Sequence, residues 1–346
     1  MDVTRVLPRD AIPSVDDPTF GPDYVGEDGD DVLVLELDGE VRAYPVRILD
    51  FHEVVNDRVG THRVAVTWCP LCGAGVVYDR EVSAVDGIPG GSVGDTGELV
   101  MDDGVLSFGV SGKLADDDLV MYDRETDSEW KQSTGRAIAG PLAGAELRVL
   151  PATITTYGEF RERYPDGVVL RRPGGESEAA SDTDEPAPID YARRPYEAYL
   201  SGDGVGLGAH RGNGGREWDR EDLDPKAVVL GVGDGDAALG FPRPWLLAAG
   251  GVGSATVGDT AVVALATPDG VHAFEDPGHG FEPVGEGRFR ADGTVWDGTT
   301  GRSEDDRRLE RIPARRLFAF AWQDDHGPGA FWSGESAAGI SDATRR

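Results

Sequence analysis

The two cysteines of the chain, Cys69 and Cys72, lie three positions apart in a Cys-Pro-Leu-Cys-Gly segment. Two thiolates at this spacing can bind one metal ion, because a tight turn brings both sulfurs to one side and Gly73 lets backbone amides turn toward them. The same spacing suits a thiol–disulfide redox pair or two buried structural thiols. A redox pair of this kind usually begins a helix, whereas the residues Val76-Val-Tyr78 predict a strand. We therefore interpret the cysteines first as metal ligands.

The segment His52-Glu53-Val-Val-Asn56-Asp57 supplies further donors for such a site. It resembles the H-E-x-x-H motif of zinc peptidases, but asparagine stands at the second histidine, which excludes that class because both imidazoles must bind the metal. We predict a Cys2His site in which His52 joins the two thiols, for zinc or copper, the metals that suit these ligands. Three ligands would leave an open position, as in catalytic zinc sites. Glu53, Asn56 and Asp57 are further candidates, although Asn56 and Asp57 are equally suited to cap the end of a helix.

Three more candidate residues lie further along the chain: Lys113, Trp130 and Gln132. Lys113 ends a Ser-Gly-Lys segment that could bind an anion but is far from a complete phosphate-binding loop. Trp130 and Gln132 lie in a segment that combines an aromatic ring with amide and hydroxyl groups, as ligand pockets do. This segment supports a third hypothesis, a module that binds a small ligand and uses its cysteines only structurally.

Predicted strands and one predicted helix position these residues. Alternating β-branched residues over Val32–Leu37 predict a strand, and the Asp38-Gly39 pair predicts a hairpin turn to a returning strand. Pro45 opens a predicted helix that runs to about Asn56 and would carry His52. Strands are also predicted at Val64–Trp68, Val76–Tyr78, Leu106–Val110 and Leu119–Tyr122. The sequence therefore predicts a mainly β, α+β fold with a few short helices.

Two segments of the first half recur loosely, and in the same order, in the second half. Val32–Pro45 is similar to Ala227–Pro242, and Glu129–Arg136 is similar to Val295–Arg302. We therefore predict two degenerate repeated halves packed together. The second half has Leu265-Ala-Thr-Pro where the first has its cysteine turn, so only the first half carries the predicted site.

The predicted boundaries follow these repeats and the local composition. A Gly/Asp-rich stretch at 83–104 is predicted as a loose insertion within the first half. The predicted segments are an N-terminal repeat unit with the His/CxxC site at 1–172, an acidic Gly/Asp-rich linker with a short ordered segment near 190–200 at 173–224, a degenerate C-terminal repeat unit at 225–335 and a disordered tail at 336–346.

The charge of the chain is strongly negative. It carries 64 acidic and 33 basic residues, for a formal net charge of −31, and three of the basic residues are lysines. This balance excludes a generic nucleic-acid partner and an anionic membrane surface, because both attract a basic face. The composition resembles that of haloarchaeal proteins, whose carboxylates keep the surface hydrated in concentrated salt. No apolar run reaches the roughly 18–20 residues of a membrane helix, and the N-terminus lacks a signal-peptide pattern, so we predict a soluble cytoplasmic protein.

Several short motifs occur together in this chain. They are Arg42–Pro45, His52–Asp57, Val66–Gly73, Phe108–Leu114, Met121–Thr126 and Trp130–Gly135. In this combination the sequence resembles the domain of unknown function 3179 family, over most of residues 10–200 and more faintly over the second half. The resemblance implies no particular activity, and the sequence leaves open whether the protein is an enzyme. The functional hypothesis is therefore a metal-binding protein, with a thiol–disulfide protein and a small-ligand module as alternatives.

Overall fold

The computed structural model describes residues 1–81, 83, 85–86, 104–183 and 185–334. The chain forms two compact units, Met1–Glu221 and Asp222–Arg346. Strands predominate in both units and the helices are short, which confirms the predicted mainly β fold. Most of the predicted insertion at 83–104 and all of the predicted tail at 336–346 lie outside the described residues. None of the described helices is long and apolar enough to cross a membrane.

The first unit is built mostly of short strands. In chain order its described strands are β1 (Val3–Arg5), β2 (Phe20–Gly21), β3 (Asp31–Leu37), β4 (Glu40–Pro45), β5 (Val54–Val59), β6 (His62–Cys69), β7 (Ala74–Asp79), β8 (Val85–Asp86), β9 (Phe108–Ala115), β10 (Asp118–Asp123), β11 (Glu129–Lys131), β12 (Arg136–Ala139), β13 (Glu146–Leu147), β14 (Ala152–Thr156), β15 (Val168–Leu170), β16 (Glu176–Ser177) and β17 (Ala187–Pro188). Its described α-helices are α1 (Val46–Leu49), α2 (Tyr157–Arg163), α3 (Glu197–Ser201) and α4 (Gly206–His210). Residues 173–221, most of the predicted linker, belong to this unit.

Two antiparallel groups of strands position the candidate site. The first group is β5–β6–β7, in which Cys69 at the end of β6 pairs with Ala74 at the start of β7. The second group is β9–β10–β11–β12, with β1 beside β9. Strands β6 and β7 are buried along nearly their whole length. Their sequences are therefore mostly apolar and do not alternate between apolar and polar residues. The predicted strands at Val64–Trp68 and Val76–Tyr78, with the turn between them, are confirmed.

A third sheet of the first unit runs in the order β14-β3-β4-β15-β2. Its β3–β4 hairpin turns at Asp38 and Gly39, whose φ angles are 51° and 80°. Positive φ at both central residues is the geometry that an Asp-Gly pair favours, so the predicted hairpin is confirmed.

The helix predicted from Pro45 to about Asn56 is wrong beyond its first turn. The helix α1 ends at Leu49, Glu53 adopts a left-handed φ of 56°, and Val54 begins strand β5. The apolar stripe suggested a helix, but β-branched valines fit a strand, where Val55 pairs with Val66 of β6. His52 and Glu53 therefore lie in the bend between α1 and β5, while Asn56 and Asp57 lie on the strand and not on a shared helix face.

The second unit repeats part of this order. Its described strands are β18 (Val228–Asp234), β19 (Ala237–Pro242), β20 (Val252–Val257), β21 (Thr260–Ala266), β22 (Val271–Glu275), β23 (Glu282–Gly285), β24 (Arg288–Ala291), β25 (Thr294–Asp297) and β26 (Arg315–Phe318), and its described helices are α5 (Arg243–Ala248) and α6 (Ala319–His326). The series strand, tight turn, strand, short helix and three antiparallel strands runs from β3 to β7 and again from β18 to β22. That the two halves are degenerate repeats stays a prediction. The boundaries given for them in the sequence analysis stay predictions as well.

Candidate metal centre

The cysteine turn joins two buried strands of the first unit. Cys69 and Cys72 are 1% and 0% exposed, and both are free thiols. Gly73, with a φ of 57°, lets the chain reverse into β7. Both sulfurs lie against the main-chain oxygen of Asp117, at 3.4 Å for Cys72 and 4.0 Å for Cys69. The turn therefore brings both thiols to one place, as their spacing predicts.

The β9–β10 hairpin brings a carboxylate to the thiols. Its two turn residues, Asp116 and Asp117, both have positive φ angles, of 53° and 68°. Such a turn usually contains asparagine or glycine, and here it places Asp118 at the start of β10. Asp118 is 1% exposed, and its Oδ2 accepts a hydrogen bond of 2.8 Å from the amide of Ser133. Sequence reasoning missed Asp118, because it lies in a run of acids that looks like a solvated loop.

Three of these side chains form one group. One ligand atom each from Cys69, Cys72 and Asp118 lies within 4.8 Å of the other two, and all three residues are buried. Two thiols and a carboxylate at this separation can hold one metal ion. The group draws on two hairpins, so the fold rather than local sequence assembles it.

His52, the predicted third ligand, has partners on both ring nitrogens. Its Nδ1 lies 2.9 Å from the carbonyl oxygen of Pro13, and its Nε2 lies 2.7 Å from the hydroxyl of Tyr191. Because a carbonyl oxygen can only accept, Nδ1 carries the proton and Nε2 accepts from Tyr191. Burial lowers the pKa of His52, which favours this neutral ring. The described structure therefore groups Asp118, and not His52, with the thiols.

Glu53 is buried beside this group. It is 7% exposed, and burial together with the charges of Glu178, Asp50 and Asp118 raises the pKa of its carboxyl to about 8. Asp50 behaves similarly, because burial raises its pKa to about 7 even though the Trp68 indole donates to it at 2.9 Å. Two acidic groups near the cysteine turn therefore have pKa values that burial raises well above those of ordinary carboxyl groups.

The protonation of the Cys69 thiol follows the same rule. Burial raises its pKa, a hydrogen bond with Cys72 lowers it, and the charges of Asp118 and Glu53 raise it again. The result is a pKa above the usual value for a thiol, so Cys69 is uncharged at neutral pH unless a cation compensates.

The other residues predicted on the segment after His52 hold strands together. Asn56 binds the backbone of Phe108 in both directions, donating to its oxygen at 2.7 Å and accepting from its amide at 3.0 Å. Asp57 accepts from Arg42 at 2.7 Å and from the Tyr44 hydroxyl at 2.6 Å. These bonds place Asn56 and Asp57 outside the group of Cys69, Cys72 and Asp118.

The three candidates further along the chain have different surroundings. Lys113 forms an ion pair of 2.6 Å with Glu129, and the buried Trp130 donates to Asp123 at 2.8 Å. Gln132 is 0% exposed, and its Nε2 donates to the Thr67 hydroxyl at 2.8 Å and to the oxygen of Ala74, just after the cysteine turn, at 3.2 Å. Its Oε1 has no hydrogen-bond partner among the described residues. Gln132 is therefore the one of the three that supports the hairpin carrying the thiols.

Three tyrosines of the predicted linker cover the site. Tyr191 bonds to His52, and the hydroxyl of Tyr199 donates to the oxygen of Leu71, inside the cysteine turn, at 2.6 Å. Burial and then the charge of Glu53 raise the pKa of Tyr196 well above its usual value. Sequence reasoning missed this cover, although three tyrosines lie within ten residues there and tyrosine is often at least partly buried.

The cover also reaches the turn that carries Asp118. The amide of Leu207 donates to Asp117 Oδ1 at 2.9 Å, and Arg216 pairs with the same carboxylate at 3.4 Å. These residues line a cavity of about 440 Å³ together with Asp116. The segment after residue 190 thus fixes both hairpins of the group.

The fold and this group define the class of the protein, a mainly β protein with a buried Cys/Cys/Asp cluster. The model of a family described as a protein of unknown function, DUF3179, matches residues 9–329. The chain therefore belongs to this family, as its motifs indicate. Neither the search of curated proteins nor the search of solved structures found a match.

Proposed function

We propose that this protein binds one zinc ion through Cys69, Cys72 and Asp118. The observation that carries the proposal is the convergence of three buried donor atoms within 4.8 Å, from two separate hairpins. In a tetrahedral zinc site, donor atoms about 2.0–2.3 Å from the metal lie roughly 3.3–3.8 Å from one another. Small side-chain rotations would therefore bring the three donors to bonding distance.

The donor set favours zinc over copper. The cysteines alone suit either metal, since both accept thiolate ligands. A carboxylate oxygen is a hard donor, which zinc accepts readily and copper(I) does not. A Cys2His ligand set would suit zinc or copper, whereas the Cys2Asp set proposed here suits zinc better than copper.

The electrostatics of the site also support a bound cation. Burial and neighbouring acidic charges raise the pKa of Glu53 and of the Cys69 thiol, and so oppose the ionisation of both groups. A divalent ion would reverse this balance, because it stabilises thiolate and carboxylate directly.

Two features favour zinc over the thiol–disulfide alternative. The pKa of Cys69 is raised by burial, whereas a thiol that attacks a disulfide needs its thiolate form. The turn also joins two strands and does not begin a helix, so no helix dipole stabilises a thiolate there.

The test is metal analysis of protein purified in high salt without chelator, with a thiol titration alongside. We expect one zinc per chain in the native protein and in Asp116→Asn, a control that changes a neighbouring carboxylate outside the group. We expect less than one tenth of that amount in Cys69→Ser and Asp118→Asn. Absence of metal in the native protein, together with a reversible two-electron thiol couple, would support the redox alternative instead.

A cytoplasmic location belongs to this proposal, because a reducing compartment keeps two neighbouring thiols available for metal. The excess of acidic residues supports the further proposal that the protein binds neither nucleic acid nor an anionic membrane surface. Cell fractionation with zinc analysis of each fraction checks the location.

A further inference from the structure

Gln132 forms hydrogen bonds to both of the hairpins that supply the proposed ligands. Its backbone amide donates to the oxygen of Leu119, the residue after Asp118, at 2.9 Å. Its side-chain Nε2 donates at 2.8 Å to the hydroxyl of Thr67, two residues before Cys69 on strand β6. Gln132 thus fastens the strand that begins with Asp118 to the strand that ends with Cys69.

The side-chain amide of Gln132 binds the cysteine hairpin through two acceptors. Nε2 also donates at 3.2 Å to the carbonyl oxygen of Ala74, which lies opposite Cys69 at the base of the cysteine turn. The hydroxyl of Thr67 donates its one proton to the oxygen of Val76 at 2.9 Å, so it can only accept from Gln132. A glutamine nitrogen has the two protons that these two acceptors require. The amide therefore holds both strands of the hairpin that carries the thiols.

The backbone at and after Gln132 holds the third proposed ligand in place. The amide of Ser133 donates to Asp118 Oδ2 at 2.8 Å, and the oxygen of Gln132 accepts from the Tyr78 hydroxyl at 2.6 Å. Gln132 and Ser133 are both buried, where hydrogen bonds are stronger than in water. One short segment therefore orients the Asp118 carboxylate with its backbone and the cysteine hairpin with its side chain.

We propose that Gln132 is a positioning residue of the zinc site and sets the separation between the two thiols and the Asp118 carboxylate. This inference rests on the proposed function. Gln132 acts on the metal through the strands that carry the ligands and through the neighbouring amide of Ser133, and it is not itself a ligand. Hydrogen-bonding partners around metal ligands orient the ligands, and their loss typically weakens metal binding about 10- to 100-fold.

Asn56 provides a matched control for Gln132. It too is a buried amide that joins the two groups of strands, because it lies on β5 and binds both backbone groups of Phe108 on β9. Phe108 begins β9, whereas the turn that carries Asp118 follows the other end of that strand. Loss of the Asn56 amide therefore removes the same kind of link between the same two groups, away from the ends that carry the ligands.

The test compares Gln132→Met with Asn56→Leu, which replace each amide by an apolar side chain of similar size. Zinc affinity is measured by competition with a chelator, and ligand geometry by the visible absorption of the cobalt(II)-loaded protein. We expect Gln132→Met to weaken zinc binding by at least about tenfold and to change the cobalt spectrum. We expect Asn56→Leu to leave the spectrum unchanged and to alter affinity by less than about threefold. Equal losses in the two variants would overturn the inference, because they would reflect a weaker fold and not a misplaced ligand.

A second pair of variants tests the same link from its other end, and it decides the question if Gln132→Met does not fold. Thr67→Val removes the hydroxyl that accepts from Gln132, while Thr67→Ser keeps it. We expect Thr67→Val to weaken zinc binding by at least about threefold and Thr67→Ser to stay close to native affinity. Equal affinities in these two variants would contradict the proposed role. Near-ultraviolet circular dichroism of each metal-free variant shows whether it is folded.

The outcomes separate this inference from the proposed function. If native protein binds zinc and Asp118→Asn loses it, while Gln132→Met keeps native affinity and spectrum, Gln132 only supports the fold and the three-residue site stands. If native protein binds no zinc, the proposed function itself fails.

Discussion

The hairpins β6–β7 of the first unit and β21–β22 of the second have turns of equal length and opposite chemistry. Cys69 pairs with Ala74 in one, and Ala266 pairs with Val271 in the other, so each turn contains four residues. The first turn gathers thiols and buried acids. In the second, Arg243 donates to the carbonyl oxygens of Thr267 and Pro268. The first turn can therefore attract a cation, whereas the guanidinium group of Arg243 from helix α5 already binds the second turn.

The second hairpin also differs in its histidine. His272 is fully buried, and its Nε2 lies 3.2 Å from the hydroxyl of Thr267. Burial and the charges of Arg311 and Arg243 lower the pKa of His272 well below its usual value. Positively charged arginines thus lie near this turn, whereas buried acidic groups lie near the cysteines.

One hydrogen bond beside each of the two hairpins is nevertheless alike. Asp38 Oδ2 accepts from the Thr61 hydroxyl at 2.8 Å, and Asp234 Oδ2 accepts from the Thr260 hydroxyl at 3.0 Å. A hairpin of this kind thus forms in the second unit without any cysteine. The comparison teaches that a four-residue turn between two such strands does not in itself need cysteine, so Cys69 and Cys72 call for a reason of their own.

The largest expected effect comes from making the first turn like the second. In the double variant Cys69→Ser/Cys72→Ser, we expect the bound zinc to be lost completely. Zinc at about 100 times its Kd stabilises a protein by about 2.7 kcal/mol, so the Tm in zinc should fall by roughly 5–10 °C. Metal analysis and thermal unfolding with and without zinc measure both effects. Thr267→Ser is the matched control in the second turn, and a similar zinc loss there would break the comparison.

A second prediction tests whether the third ligand is Asp118, as the structure indicates, or His52, as the sequence predicts. We expect Asp118→Asn to weaken zinc binding by at least about tenfold, because a donor is lost. We expect His52→Asn to change affinity by less than about threefold, since both ring nitrogens of His52 bind elsewhere. Chelator competition measures both variants. The reverse order of effects would restore the Cys2His site.

Much of the fold could be predicted because its signals are local. The Asp38-Gly39 turn and the valine-rich strands β6 and β7 depend on neighbours in sequence. The prediction of a helix from Pro45 to about Asn56 was wrong. The apolar spacing alone is compatible with a helix, but the pairing of Val55 with Val66 stabilises a strand. Such pairing energy is not visible in a short window of sequence.

The candidate site could be predicted only in part, for a similar reason. The spacing of Cys69 and Cys72 is local, so their convergence followed from the sequence. Asp117, which positions the third donor, is 45 residues from Cys72, and Tyr199 is 128 residues from Leu71. Contacts over such distances depend on hairpin placement, and no motif encodes them.

A third prediction tests whether the framework is shared. Gly135 and Gly301 have φ angles of 71° and 70°. A Cβ would lie 2.6 Å from the Tyr78 ring and 2.5 Å from the Phe274 ring. Gly135→Ala and Gly301→Ala should each lower the free energy of unfolding by about 2 kcal/mol, from backbone strain and overpacking together.

The control for this pair is Gly39→Ala, which isolates the strain. Gly39 has a φ of 80°, but no atom lies within 4 Å of an added Cβ, so a loss of about 1 kcal/mol is expected. Denaturant titrations measure all three variants. Unequal losses at Gly135 and Gly301 would show that the two frameworks pack differently around corresponding glycines.

A fourth prediction concerns an ion pair of the first unit whose effect on stability should depend on pH. Asp30 binds Arg47 at 2.7 Å, while its backbone oxygen accepts from Tyr157 at 2.8 Å. In the second unit the oxygen of Ala227 accepts from Ala319 at 2.9 Å, so an alanine stands where the first unit has this acid. Burial raises the pKa of Asp30, but Arg47 and the Glu27 amide lower it further, to about 2.

An acid whose pKa falls on folding contributes stability above its unfolded pKa, and this contribution is lost as the pH falls through the folded pKa. Asp30→Asn should therefore lower the free energy of unfolding by about 2 kcal/mol at pH 7, and by progressively less between about pH 4 and pH 2. Denaturant titrations of variant and native protein across this range measure the difference. A difference that stays constant down to pH 2 would mean that hydrogen-bond geometry, and not the charge of Asp30, stabilises the first unit at this point.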